Sequence, residues 1–182
     1  MDDETGPDDE FAFMVKVGDA GQARAVEAAR RALSPENAQL VRGPDMIHAT
    51  IVRVCEAVIE QAVPLAKTLA PLVRVPGFTL VFDRCEWRPH PRHTPNGIAV
   101  LVVSELPAPW RSLRDQLAEV PRRLKQRKTG GAEPHLTVAY GCVPFEPVKL
   151  ETPVIWHVTN FQLIRILMGK RRHLEIARWE LM

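Results

Sequence analysis

The sequence predicts an α+β fold with largely antiparallel sheet, and three observations carry that prediction. Strand-like runs rich in β-branched and aromatic residues outnumber helical runs, in the order strand, helix, strand, helix, strand, strand, helix, strand, strand, strand. Neighbouring strand-like runs follow one another without an intervening helix, as hairpins do and parallel crossovers do not. Finally, 182 residues with 46% hydrophobic and 25% charged residues suit one compact core, and no linker divides the chain.

The elements follow in order. Phe11, Phe13, Val15 and Val17 alternate with smaller or more polar residues and predict a first strand. Asp19 is placed to cap a helix running to about Leu33, where Ser34 and Pro35 end it. Gly43 and Pro44 mark a turn before an apolar strand from Ile47 to Val54, and Pro64 is expected to open a new first turn in the helical region that follows. Phe78 to Cys85 and Ile98 to Val103 read as a hairpin with a long Pro- and His-containing loop. Trp110, Leu113, Leu117 and Val120 recur at helical spacing, so one helix should run from about Pro109 into the basic segment Arg122 to Lys128, ending at Gly130 and Gly131. Pro134 opens a strand through Tyr140. Ile155 to Leu167 and His173 to Trp179 then form a final antiparallel pair across Gly169.

The formal net charge of +2 hides an uneven distribution. Asp2, Asp3, Glu4, Asp8, Asp9 and Glu10 concentrate six of the 22 acidic residues in the first ten positions, which read as a solvated, disordered tail preceding a single domain over residues 11–182. The rest of the chain carries 24 basic against 16 acidic residues, a balance of +8 that suits a polyanionic partner such as RNA. No apolar run reaches the roughly 20 residues that span a bilayer, and the acidic start is unlike a signal peptide, so a cytoplasmic protein without a membrane partner is expected. Cys55, Cys85 and Cys142 form no CxxC pair and read as small apolar packing residues in a reducing compartment.

Three His-x-Thr tripeptides occur, at His48 to Thr50, His135 to Thr137 and His157 to Thr159. Six histidines and nine threonines give roughly 0.3 such coincidences by chance, so the set calls for a reason. On a strand, residues two apart share a face, and each tripeptide presents an imidazole beside a hydroxyl. His48 and His135 stand 87 residues apart, about half of the chain beyond the tail, and each follows a proline-containing turn. His157 lies inside a longer run only 22 residues after His135 and reads as structural.

These residues resemble the 2H phosphoesterases, and within them the 2′-5′ RNA ligase-like RNA 2′,3′-cyclic phosphodiesterases. The resemblance rests on the start Phe11 to Val17, His48-Ala49-Thr50-Ile51, Phe78-Thr79-Leu80 to Asp83-Arg84, Pro134-His135-Leu136-Thr137-Val138, and the ending Leu163-Ile164-Arg165 with Trp179-Glu180-Leu181. It implies a bilobal fold, two mainly antiparallel sheets flanking a central cleft with helices outside, each lobe donating one His-x-Thr strand. It also implies metal-independent hydrolysis of RNA or nucleotide 2′,3′-cyclic phosphodiesters to 2′-phosphates, with His48 as proton donor, His135 as acceptor, Thr50 and Thr137 on the phosphoryl oxygens, and reversible 2′-5′ ligation by the same pair. Two imidazoles suit such chemistry because each can gain or lose a proton near neutrality. The residues alone leave the direction of proton transfer open.

The phosphate's cationic partner is less evident. Family members often carry a basic residue just after each motif; here Arg53 stands three beyond Thr50, turned away from His48 by strict alternation, and Tyr140 stands three beyond Thr137. Arg165 in the long final strand is another candidate. Arg122 and Arg123 in the basic run could track an RNA backbone, and Trp87, with Arg88, His90, Arg92 and His93, could stack on a base at the cleft mouth. No HExxH, Cys/His cluster, P-loop or GxGxxG is present, so neither metal nor nucleotide cofactor is expected. The expected partners are RNA ends or small nucleotides bearing a cyclic phosphate, bound by a monomer. Two alternatives remain: a non-catalytic RNA- or nucleotide-binding module using the same cleft, and a phosphodiesterase for a small cyclic nucleotide such as ADP-ribose 1″,2″-cyclic phosphate.

Overall fold

The computed structural model describes residues 10–54, 59–125, 133–167 and 172–182. Eight antiparallel strands, β1 (Glu10–Val15), β2 (Ala49–Val54), β3 (Phe78–Pro89), β4 (Gly97–Val103), β5 (His135–Cys142), β6 (Val148–Val158), β7 (Asn160–Leu167) and β8 (Arg172–Glu180), form one open sheet in the order β6-β3-β4-β5-β2-β1-β7-β8. The centre of that order is its weakest seam. β2 and β5 are paired only through Ala49 and Leu136, whereas every other neighbouring pair shares at least five partners. The sheet therefore consists of two four-stranded halves, which is how the expected pair of sheets is realised.

The two faces differ in kind. Helices α1 (Asp19–Ala32), α3 (Ile59–Leu69), α4 (Ala108–Leu117) and α5 (Glu119–Arg123) contribute to one continuous core with Phe13, Ile51, Leu80, Phe82, Leu101, Trp110, Leu136 and Trp156. Burying such side chains is the main term favouring the fold, at ~25 cal/mol per Å² of apolar surface. Among the described residues the other face carries two small apolar sets, one per half: Ala12, Met14 and Ile164 beside Ile166, and Ile98, Val100 and Val102 beside Tyr140. That face lines the cleft.

Several expectations need correction. Glu10, counted with the acidic tail, begins β1 and meets Arg53 at 3.1 Å; residues 1–9 lie outside the described residues. Asp19 is the first helical residue and Gly18 occupies the cap position. Pro64 lies inside α3 rather than opening a helix. The helix expected from Pro109 onward is two, α4 and α5, meeting at Ala118: Pro121 has no N–H to continue the ladder and its ring crowds the carbonyl four residues back. The long run through His157 divides at Thr159 into β6, which pairs with β3 in one half, and β7, which pairs with β1 in the other. A short helix α2 (Pro35–Ala38) was not foreseen. Its buried Asn37 binds Val143 through both the backbone N–H (3.0 Å) and C=O (3.1 Å), tying the segment to the end of β5.

Cys85 and Cys142 are fully buried free thiols, and burial pushes the Cys85 thiol up to about 12. Cys55, Arg127, Lys128, Gly130, Gly131 and Gly169 lie outside the described residues. Among the described residues no helix is long and apolar enough to cross a membrane.

Candidate active site

The single pair that joins the halves also fixes the site. Ala49 and Leu136 are opposite each other and buried in the helix-covered core. Side chains alternate along a strand, so His48, Thr50, His135 and Thr137, each half-buried, project from the other face, two from each half. The four residues are thus brought together across the seam.

The two imidazoles are held in the same way. His48 Nδ1 lies 2.9 Å from Met46 O and His135 Nδ1 lies 3.2 Å from Glu133 O, in both cases the carbonyl two residues earlier. A carbonyl only accepts, so each Nδ1 carries the hydrogen and each Nε2 is left to exchange a proton with a ligand.

A β-bulge then follows each tripeptide. Met14 faces Thr50 but Phe13 faces Val52, so Ile51 is an extra residue in β2; Val100 faces Thr137 but Ala99 faces Ala139, so Val138 is an extra residue in β5. Two successive residues therefore turn to the core, Ile51 with Val52 and Val138 with Ala139, all at 1% exposure or less. The next residues, Arg53 and Tyr140, return to the cleft face. This reverses the expectation that alternation directs Arg53 away from His48. Arg53 is close enough to help lower the pKa of both His135 and His90, while its guanidinium pairs with Glu10.

Around Tyr140 stand the rings of His90 (5.8 Å) and His93 (5.3 Å), with the Arg42 guanidinium 5.0 Å over its face. Arg42 is delivered by a backbone bond from its N–H to Val138 O and by the bridge between Val41 and Ala139. On β3, Arg84 and Arg88 flank Glu86, at 3.5 and 3.3 Å, opposite the cleft residues Val102, Ile98 and Val100.

His173 of β8 completes the surroundings of His48. Three strand spacings of about 4.8 Å would separate β8 from β2 by about 14 Å in a flat sheet. The ring centroids are instead 4.8 Å apart at 77°, so this half of the sheet curls over the cleft face. Burial, then the His173 ring, then Arg42 and Lys16 hold His48 down to about 3, against the opposing bond to Met46 O. His173 is itself held down to about 4 by burial and by Lys16 and Arg42. His135 is also lowered, first by burial and then by Arg88 and Arg53, with Glu133 opposing.

The other residues named from sequence fall elsewhere. Trp87 points to the helix-covered face, where its indole N–H donates to Cys142 O at 3.1 Å. Arg165 is 6% exposed and pairs in register with Phe11, on the face opposite Ile164 and the cleft. Arg122 and Arg123 sit on α5 in the outer helical layer and both pair with Glu119. His157 is exposed in β6, bonded to Thr79 Oγ1 at 3.1 Å. Among the described residues no group of three or more His, Cys, Asp or Glu could hold a metal ion.

Fold and strand geometry together define a fold class: the architecture is that of E. coli LigT. In particular, the chain resembles E. coli LigT complexed with 3′-AMP over 94% of its own length and 96% of that chain, with a TM-score of 0.76 at 20% identity. A structure described as a phosphoesterase gives 0.75 at 21% identity over 94% and 98%, and TT0787 of Thermus thermophilus gives 0.69 at 16% over 94% and 97%. No protein-family model and no curated protein matches the sequence.

Proposed function

We propose that the chain hydrolyses 2′,3′-cyclic phosphodiesters of RNA or nucleotides without a metal, with His48 and His135 as paired proton carriers. One observation carries the reading: two imidazoles, one per half, lie on one face across the β2–β5 seam, each bonded through Nδ1 so that Nε2 remains for proton exchange. The LigT structures, one holding 3′-AMP and another phosphate, support a nucleotide phosphate there.

In the reaction one neutral Nε2 takes a proton from the attacking water as the new P–O bond forms. The other, protonated, gives its proton to the departing ribose oxygen as the old P–O bond breaks. Loss of the 3′ oxygen leaves a 2′-phosphate. The hydroxyls of Thr50 and Thr137 donate to the non-bridging oxygens, with Arg53 and Arg42 supplying positive charge and Tyr140 a stacking face. The family resemblance gives His48 as donor. The surrounding charges favour the reverse order in the free protein, because His173, Arg42 and Lys16 all oppose a proton on His48.

His48→Ala and His135→Ala should each lower turnover of nucleoside and oligonucleotide 2′,3′-cyclic phosphates by about 10²- to 10⁴-fold with folding retained and chelator present. Near wild-type turnover in both folded variants refutes the assignment, and loss of wild-type activity in chelator refutes the metal-free mechanism. Tight binding without turnover by the wild-type protein would identify a binding module instead.

A further inference from the structure

His173, whose ring lies 4.8 Å from that of His48, lines a cavity of about 340 Å³ between the end of β1, the corner joining β6 to β7, and β8. Its size suits a small organic ligand. The third His-x-Thr tripeptide, His157 to Thr159, forms part of its wall.

The polar groups of this cavity are unusual in lacking partners. Gln162 is 3% exposed, lines the cavity and has no side-chain hydrogen bond to any described residue. Asn160 Oδ1 and His173 Nδ1 are buried without a hydrogen-bond partner, and both residues also line it. A buried polar group without a partner costs about 1–3 kcal/mol, so Asn160 Oδ1 and His173 Nδ1, with the Gln162 carboxamide in the same lining, favour a ligand that completes them. Of the charged side chains there, Arg178 meets Glu175 at 2.7 and 3.2 Å, and Lys16 Nζ donates to the backbone carbonyl of Asp45 at 2.8 Å. The carboxamides of Gln162 and Asn160 and the imidazole of His173 offer both donors and acceptors, which suits a group with its own donor and acceptor.

We propose that this cavity holds a nucleobase of the substrate whose phosphate lies at His48 and His135, with the Gln162 carboxamide reading its edge. A carboxamide offers one acceptor and an NH₂ donor in a plane, matching the paired donor and acceptor on a base edge. The assignment to a base, rather than to another amide-like group, rests on the phosphodiesterase reading, since His173 is shared between the cavity wall and the surroundings of His48. The base belongs either to the nucleotide bearing the cyclic phosphate or to its neighbour.

The test compares kcat/KM for nucleoside 2′,3′-cyclic phosphates and the corresponding dinucleotides with that for an abasic ribose 2′,3′-cyclic phosphate. Leaving Gln162 unpaired should cost about tenfold. The wild-type ratio of base-bearing to abasic substrate should thus be about ten or more, and Gln162→Leu should collapse it towards one. Asn160→Ala, at the β6–β7 corner, provides a second variant should Gln162→Leu not fold. A gain already present in the mononucleotide places the base of the reacting nucleotide in the cavity; a gain seen only in the dinucleotide places its neighbour there. A wild-type ratio near one, or the same ratio in the variants, overturns the proposal. If the wild-type protein turns over none of these compounds, the catalytic reading falls separately. The cavity is then tested by calorimetry with nucleoside 2′-phosphates against ribose 2-phosphate: an affinity gap lost in Gln162→Leu upholds it, and no gap refutes it.

Discussion

The half-buried pair His48 and His173 should make the fold sensitive to acid well above the pH at which carboxylates protonate. His48 is held neutral down to about 3 and His173 to about 4, each against an ordinary value of 6.5. Below 6.5 the unfolded chain binds protons at these positions that the folded chain does not. The stability they allow is therefore complete above 6.5 and falls as the pH drops towards the folded values. Between pH 7.5 and 5 each ring accounts for about 2 kcal/mol, because the unfolded imidazole is almost fully protonated at pH 5 and the folded one almost fully neutral. Together they remove about 4 kcal/mol, a large share of a domain stability of about 5–15 kcal/mol. Urea unfolding of wild type and His48→Gln, whose amide can still donate to the Met46 carbonyl, at both pH values isolates one ring. The wild-type loss should exceed that of the variant by about 2 kcal/mol. Equal losses would mean that His48 takes up a proton in the folded state with ordinary ease, and the electrostatic account of the site would fail.

Two further predictions concern the residues that the bulges direct. Tyr140→Leu removes a stacking face from the cleft and should weaken nucleotide binding by about 1–3 kcal/mol, read as a raised KM in steady-state kinetics, while Arg53→Ala should raise KM and flatten its dependence on salt. Trp87→Phe removes only the bond to Cys142 O on the opposite face, and should cost about 1 kcal/mol of stability by chemical unfolding without altering KM.

Much of this arrangement was legible in the sequence. Strand-like runs and their pairing follow from β-branched composition and alternation, and the half-chain separation of the two tripeptides pointed to one in each half, where His48 to Thr50 and His135 to Thr137 lie. Strict alternation failed at Ile51-Val52 and Val138-Ala139, where two consecutive apolar residues mark a bulge, and that repeated pattern was the available clue to the orientation of Arg53 and Tyr140. Trp87 and Arg165 were misjudged for the complementary reason. Residue type suggests a ligand contact, but the register with β4 and β1 decides which face each occupies. His173, Arg42 and Lys16 carried no local mark at all. Their proximity to His48 depends on the curl of β8 across the cleft and on the segment carrying Val41 to β5, both products of long-range pairing.

The repeated construction also explains why the two histidines need not be equivalent. Each half supplies the same local frame: a carbonyl two residues before the imidazole, a threonine two after it, and a bulge that returns the sixth residue to the cleft. Acid–base catalysis at one phosphorus requires the opposite, one ring protonated and one neutral at the same pH. The halves differ where the frame ends. His48 faces His173 and two cations, whereas His135 faces Arg88 and Arg53 with Glu133 in opposition. An arriving phosphate anion favours protonation of both rings, but the His173 ring, Arg42 and Lys16 all oppose a proton on His48, which should remain the neutral partner. On the proposed mechanism, the repeated backbone would position two proton carriers, and the unsymmetrical side chains around them would give each a different role.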